Sequence, residues 1–252
     1  MVEFVQHISK QKFNDYEIIL VNNGSNQINL LESLAQSYPV TIVDSNENKG
    51  YLGGAEFGLT TYLNQNKELP SHLIVCNTDI IFGDDLFLSK LYTLTDDVIG
   101  PTIISSKTRL NQNPFYTNRI SDKKLKFLKL IFSAYPLYVG YQLLSVVKNS
   151  LSLKKIDAIK DNSKKVYAIH GSFMIFNKSY FEKGGNFNYG SFLYGEEIYI
   201  AELARINCMS VTYHSSLKII HQEHSTTGLF KKPLHVKYMS QSINYLLNRF
   251  FS

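Results

Sequence analysis

What this sequence lacks narrows the reading before any motif does. No stretch of its 252 residues stays apolar over the roughly 20 consecutive positions that a membrane-spanning helix requires. The nearest candidate, Phe127 to Val147, is interrupted by Lys129, Pro136, Gly140 and Gln142, so it is expected to be amphipathic or interfacial. The opening Met1-Val2-Glu3-Phe4 has neither the basic start nor the apolar core of a signal peptide. The two cysteines, Cys76 and Cys208, form no CxxC and have no metal-ligand spacing, which excludes a disulfide scaffold and a zinc module. Buried free thiols in a reducing compartment are expected, with Cys76 inside an apolar run. Neither G-x-G-x-x-G nor G-x-x-x-x-G-K-[ST] occurs, so the dinucleotide and P-loop fingerprints are absent. No serine has a nucleophile-elbow context, and there is no internal repeat or low-complexity linker.

What is present describes a globular chain long enough to bury a core, with 44% hydrophobic and 19% charged residues. The net charge of +5 is local, because Arg119 to Lys165 holds 11 Lys and Arg against three Asp. The remainder is slightly acidic. That pattern favours a basic patch over a nucleic-acid binder.

Strand and helix patterns alternate. Residues 1–13 suit a short helix, Tyr16 to Val21 a strand, Ile28 to Ser37 a helix with Leu30, Leu31 and Leu34 on one face, and Val40 to Asp44 a second strand. A glycine-rich loop, residues 48–54, leads into a helix from about Ala55 to Asn64. Leu73 to Cys76 reads as a strand buried on both faces, followed by a helix over Asp84 to Leu94 and a strand over Val98 to Ser105. This predicts an α/β fold with a mainly parallel sheet flanked by helices. A basic, Tyr- and Phe-rich helical insertion is expected at about 107–165. Val166 to Phe176 reads as paired strands around a Gly-Ser turn, and Lys178 to Lys183 as a short helix. A helix over Glu196 to Ile206, strands over Ser210 to Tyr213 and Leu217 to Ile220, and an amphipathic helix at about 235–251 complete a single domain, 1–252.

Four stretches can carry chemistry. Asn77-Thr78-Asp79 follows a strand, where the ligand crevice of an open α/β sheet lies. Asp79 there can hold a divalent cation, or the triplet can simply form a turn; alone it leaves the two readings even. The glycines of residues 48–54 can let a phosphate or sugar approach the backbone, or only serve a turn. Glu196-Glu197 opens a helix, where carboxylates suit the dipole, yet it follows the aromatic Phe192-Leu193-Tyr194-Gly195 that would set it beside a pocket. One of the two can then act as a general base. His221 ends an apolar run and His224 follows. Either can be a surface residue, or a metal ligand opposite Asp79. Thr226-Thr227-Gly228 suits a loop that closes over an anion.

In order, YEIILVNNGSN (16–26), NKGYLGGAEFGL (48–59), IVCNTDI (74–80), GSFMIFNKSYFEKGGNFN (171–188), SFLYGEEIYIAELARIN (191–207) and IIHQEHS (219–225) resemble the family 2 glycosyltransferases of the GT-A fold, especially the rhamnosyltransferase-like branch of bacterial surface polysaccharide synthesis. Each motif is weak alone, and six in order are not. The resemblance implies that Asn22, Asn23 and Gly24 meet the donor's nucleobase side, and that Asn48, Gly50, Gly53 and Gly54 shape the nucleotide-sugar pocket. Asn77 and Thr78 also face the donor. Asp79, with His221, would bind a Mg2+ or Mn2+ bridging the diphosphate. Gly171 and Ser172 would line the acceptor side, and Glu197, beside Glu196, would be the base. The implied reaction is inverting transfer from a nucleotide-diphosphate sugar to a hydroxyl of a glycan or lipid-linked glycan acceptor. It is expected in the cytoplasm, with the basic segment touching the anionic inner face of the membrane.

The sequence departs from the family pattern in four places. Asn22 stands where the family has Asp, Glu197 stands for the Asp base, and Glu56 brings a negative charge near the phosphates. The family's first strand, which lies inside the sheet, is missing. The alternative expectation is therefore an N-terminally truncated, catalytically impaired relative that still binds a nucleotide or glycan. A nucleotidyltransferase is disfavoured by the lack of a Gly- and Lys-rich signature near the start.

Overall fold

The computed structural model describes residues 1–66, 68–151, 163–223 and 232–251. Helix α1 (Val2–Ile8) leads to strand β1 (Ile18–Asn22), helix α2 (Ile28–Ser37) and strand β2 (Val40–Asp44). Helix α3 (Tyr51–Asn66) follows, then β3 (His72–Cys76), β4 (Ile80–Phe82), α4 (Phe87–Tyr92) and β5 (Val98–Ser105). The basic stretch forms α5 (Asp122–Ile131) and α6 (Tyr135–Leu151). The chain continues with β6 (Ser163–Lys165), β7 (Phe173–Asn177), α7 (Lys178–Glu182), α8 (Glu196–Ile206), β8 (Val211–His221) and α9 (Pro233–Phe250).

The α/β layering matches the expectation, and the sheet is mixed. β1 and β2 form a parallel pair, while β3-β7-β5-β8-β4 form the main sheet with β6 on β8. Within it β5 and β8 run parallel, whereas β7 is antiparallel to both β3 and β5. Alternation along β7 builds both core layers. Met174 and Phe176 face Tyr180 and Phe187, and Phe173 and Ile175 face Phe82 and Phe87.

Several local expectations are corrected. β3 is half-buried along its whole length rather than buried on both faces, because one flank meets a cleft instead of a strand. Leu30 is exposed, and only Leu31 and Leu34 of α2 are buried; Cys208, expected to be buried, is exposed in the turn after α8, and Cys76 is half-buried. α3 starts at Tyr51, so Gly53 and Gly54 belong to its first turn rather than to the loop. Gly171-Ser172 does not join two paired strands: β7 begins at Phe173, and the segment before it makes only a single bridge, Ala168 to Tyr116. The two strands expected near 210–220 are one. β8 pairs with β5 on either side of a shift at Pro101/Thr102, where His214 faces Pro101 and Lys218 faces Thr102. Proline offers no N–H to a ladder, so the register breaks there and three residues of β8 are passed over.

One buried carboxylate fastens the helical layer. Glu202 of α8 is fully buried and accepts from Arg119 Nε at 2.7 Å, Arg205 Nη2 at 2.8 Å and Tyr167 Oη at 2.6 Å. Arg119 also donates to the carbonyl of Phe250 and lies over the Phe251 ring, tying the approach to α5 onto the end of α9. Burial alone would raise the Glu202 carboxyl, but the hydrogen bonds from Arg119, Arg205 and Tyr167 outweigh it and hold it below the ordinary value. The stabilisation is therefore complete above the ordinary carboxylate range and is lost as pH falls through the depressed folded value. Glu202→Ala should cost about 3 kcal/mol at neutral pH, the low end for breaking a buried pair because both arginines keep a solvated side. Chemical denaturation of the two proteins checks this, and the gap should shrink on acidification below about pH 4.

Candidate active site

Pairing between β4 and β8 sets the centre of the site. Ile80 lies opposite His221, and the Gln222 amide donates to the carbonyl of Asp79 at 2.9 Å. That register brings the Asp79 Oδ1 and His221 Nε2 atoms to 3.4 Å. A chain of hydrogen bonds fixes the imidazole. The Glu223 carboxylate can only accept, so Gln112 must present its Nε2 to it, at 2.6 Å. The Gln112 carbonyl oxygen then accepts the Nδ1–H of His221 at 3.0 Å, so a neutral ring turns its Nε2 lone pair toward Asp79. A carboxylate oxygen and an imidazole lone pair so close together call for a cation between them, either a proton or a metal ion. One oxygen and one nitrogen donor suit an open site whose other positions belong to substrate and water, as Mg2+ or Mn2+ would require. Among the described residues no cluster of three or more His, Cys, Asp or Glu could form a closed metal site.

The second part of the site joins the first through backbone. The Asn77 amide donates to the Ser172 carbonyl at 3.0 Å, and the His170 ring, bonded to Ser172 Oγ at 3.0 Å, lies 6.1 Å from the His221 ring. Burial, with His221 adding to it, pushes His170 down to about 4, so it is neutral at pH 7. Next to Ser172, the Gly171 amide donates to Glu197 Oε1 at 3.2 Å. A Cβ on Gly171 would stand 2.7 Å from that oxygen, so a larger residue there would push the Glu197 carboxylate out of its present place.

Glu196 and Glu197 owe their placement to the turn before α8. Gly195 has φ +80°, and the Ser242 hydroxyl of α9 and Tyr189 both donate to the Tyr194 carbonyl at 2.6 Å. Glu196 is buried and accepts the Tyr194 amide at 2.9 Å, which makes it a brace for the turn. Glu197 points instead toward Gly171. Of the two, Glu197 has the geometry of a base. Burial, with the neighbouring Glu197 charge second, raises Glu196 to about 7.

The glycine-rich loop forms a separate cluster where β1 and β2 end. Asn22 is buried and spends its amide on Ser25, accepting from its backbone N–H at 3.1 Å and donating to its carbonyl at 3.0 Å. Asn23 accepts from the Lys49 amide at 2.9 Å and donates to the Gly50 carbonyl at 2.8 Å, while Asn48 accepts the Gly50 amide at 3.0 Å. Gly24 and Gly50 both take positive φ, and a Cβ on either would strike backbone, at Asn48 and Phe192 respectively. Gly53 and Gly54 lie behind them, Gly54 against the Asn23 amide. Asn23, Tyr51 and Gly54 of this cluster line one cleft together with Thr78, the neighbour of Asp79 in sequence.

Three residues escaped the sequence reading. Tyr51 at the start of α3 is raised well above its ordinary value, first by burial and then by the neighbouring Cys76, Glu196, Glu197 and Asp79, so it faces the carboxylate centre. It was visible only as an aromatic inside the glycine motif. Gln112 lies in irregular chain and offered no pattern, and His170 was hidden in an apolar run. His224 and Thr226-Thr227-Gly228 lie outside the described residues.

With this geometry in hand, comparison with known proteins is informative. A family model described as Glycosyl transferase family 2 matches residues 1–185. No curated protein matches significantly. Among solved structures, GalNAc-T7 with UDP, GalNAc and Mn2+ superposes with a TM-score of 0.56 at 13% identity, over 96% of this chain and 44% of that one. The structure of S. aureus TarS 1-349 superposes with a TM-score of 0.51 at 9% identity, over 98% of this chain and 67% of that one. The chain thus spans less than half of the first of these. At such identities both likenesses concern the fold, which they identify as that of GT-A glycosyltransferases.

Because Glu196 binds its proton more tightly in the folded than in the unfolded chain, stability should fall as pH rises from its ordinary 4.5 to about 7. Glu196→Gln keeps the acceptor for the Tyr194 amide and removes the charge. Thermal unfolding above pH 7 should show the variant more stable by about 3 kcal/mol, with the difference vanishing toward pH 4.5.

Proposed function

Since the chain belongs to glycosyl transferase family 2, we propose that it moves a sugar from a nucleotide-diphosphate sugar to a hydroxyl of a glycan or lipid-linked glycan, with inversion. The observation that carries this is the convergence of two units, Asp79 with His221 and Gly171 with Glu197, through the Asn77–Ser172 hydrogen bond. One unit suits a charged leaving group, the other a nucleophile.

In this reading the loop of Asn22, Asn23, Gly24, Asn48 and Gly50 holds the nucleotide, with Gly53 and Gly54 admitting it close to α3. The positive end of α3 favours the diphosphate. Asp79 and His221 would hold Mg2+ or Mn2+, which when bound neutralises charge on the departing diphosphate. Glu197, kept in aim by the Gly171 amide, takes the proton of the acceptor hydroxyl. The acceptor oxygen forms its bond to the anomeric carbon as the bond to the diphosphate breaks, and the electron pair leaves with the nucleotide. Glu196, raised to about 7, is partly protonated at neutral pH and so limits repulsion beside the base. The resemblance to the rhamnosyltransferase-like branch favours surface polysaccharide as the pathway, without specifying the sugar.

Titration of UDP by calorimetry, with and without Mn2+, tests the donor and metal parts. Asp79→Ala should abolish the metal-dependent part of binding. Gln112→Leu, which frees the tautomer of His221, should weaken Mn2+ by about 10–100-fold. Glu197→Gln should bind UDP normally and lose about 100–10,000-fold in turnover. Binding that ignores Mn2+ in every variant would refute the metal assignment.

The basic helices support contact with an anionic membrane at the inner face. No described helix is long and apolar enough to cross one. On α5 and α6, however, Phe127, Leu130, Leu143 and Leu144 are half or more exposed beside the exposed Lys123, Lys126 and Lys129. Replacing these three lysines by alanine should remove about 1 kcal/mol of membrane affinity each. Flotation with anionic vesicles checks it, and equal flotation of both proteins would reject the contact.

A further inference from the structure

His170 stands at the seam between the Asp79–His221 pair and the Gly171–Glu197 pair. Its neighbours in sequence reach both: the Gly171 amide donates to Glu197 Oε1, and the Ser172 carbonyl accepts the Asn77 amide. The ring is fixed from several sides. The His170 backbone amide donates to Asn113 Oδ1 at 2.7 Å, and the buried Asn113 is anchored in turn by donating from Nδ2 to the Pro101 carbonyl at 2.8 Å. Phe115 meets the imidazole edge to face at 5.9 Å, and His221 meets it likewise at 6.1 Å. Nδ1 lies 3.2 Å from the Ser172 amide nitrogen and 3.0 Å from Ser172 Oγ.

These contacts decide the tautomer. A backbone N–H can only donate, so Nδ1 is the accepting nitrogen and the proton of the neutral ring sits on Nε2. Nε2 then has no lone pair for a cation. The two histidines are therefore complementary, one presenting a lone pair and the other an N–H. Nε2 has no partner among the described residues, yet it is not one of the buried polar atoms left unbonded, so it borders accessible space. The charged groups that act on the ring are His221 and Glu223, on the side of the cation pair.

In a sugar transfer that side holds the diphosphate, whose oxygens gain negative charge as the bond to the anomeric carbon breaks. The Asp79 carboxylate offsets part of the charge that a divalent cation would bring there. An N–H already fixed in place adds stabilisation without reorganisation. We propose that His170 is a further substrate-contacting residue, which donates a hydrogen bond from Nε2 to a non-bridging oxygen of the nucleoside diphosphate and keeps it as the diphosphate departs. No proton is transferred, and the electron pair of the broken bond leaves on the diphosphate. This role rests on the transferase reading of the site, whereas the tautomer behind it does not.

NMR of protein carrying isotope-labelled histidine reads the tautomer directly, with His170→Gln or His170→Phe identifying the His170 signals among the seven histidines. Long-range proton–nitrogen correlations at neutral pH should show a bare Nδ1 and a protonated Nε2. The opposite tautomer would overturn the proposal whatever the chain transfers. Adding UDP with Mg2+ should move the Nε2–H proton downfield and slow its exchange with water, while uridine with Mg2+ should leave it unchanged. A histidine that only supports the backbone would show neither change. By calorimetry, His170→Phe should weaken UDP with Mg2+ by about 10–100-fold, and His170→Gln, which keeps an N–H at similar reach, should recover about tenfold of that loss. UDP that shifts His221 but not His170, an equal response to uridine, or a glutamine variant as weak as the phenylalanine one would overturn the role of His170 and leave the transferase reading standing. If UDP does not bind, pyrophosphate with Mg2+ replaces it as the probe. Failure of both to bind removes the donor reading and this proposal together.

Discussion

The pairing of Ile80 with His221 is the constraint on which the candidate site depends. β4 is only three residues long, and it follows Asp79 directly. Its register on β8 therefore dictates where the carboxylate stands. A slip of one residue would turn His221 to the other face of the sheet and leave Asp79 beside Ile220. The opposite edge of β8 guards against that slip. Ser105 pairs with His221, and the Ser106 amide donates to the His221 carbonyl, so β5 and β4 hold the histidine from both sides. Gln112 can orient the ring only because the backbone is fixed first.

The second carboxylate pair is placed by a different kind of device. A strand end cannot slide without breaking its ladder, whereas a helix start can swing. Gly195 and the hydrogen bonds from Ser242 and Tyr189 to Tyr194 stop that swing at the N-terminus of α8, and Glu202 stops it near the C-terminus. Glu196 illustrates the cost. Its burial braces the turn and leaves it with a raised carboxyl, an expense in stability at neutral pH that the clamp at Glu202 offsets. Strain of this kind next to reacting groups is the usual exchange of stability for geometry.

Much of this was legible in the sequence, for identifiable reasons. α2, β2, β5 and α8 begin and end where patterning placed their counterparts, because apolar periodicity determines them, whereas α1 and α4 are shorter and α3 longer than expected by several residues. Asp79, Glu197 and His221 stood out because polar residues at strand ends and helix starts break an apolar pattern. What depended on long-range pairing stayed hidden. The passage of β8 across Pro101 looked like two strands because residues skipped by β5 carry no sequence mark. Gln112 acts through neighbours 109 and 111 positions away. Even a local choice can be silent: Asn22 bonds Ser25 three residues on, and an Asn in a turn reads the same in sequence whichever partner it takes.

The cleft between β1 and β3 connects these threads. Asn23, Tyr51 and Gly54 of the glycine-rich cluster line it together with Thr78, the neighbour of Asp79 in sequence. β1 with β2 carries the loop, while the main sheet carries Asp79 and His221, and Glu197 on α8 is held beside Gly171, just before β7. The two halves of the candidate site thus ride on two separate sheets, which, among the described residues, side-chain packing through α3 and the hydrogen bond from Tyr51 to the Val75 carbonyl link. Whatever sets the spacing of the two halves therefore sets the fit to a ligand that spans them.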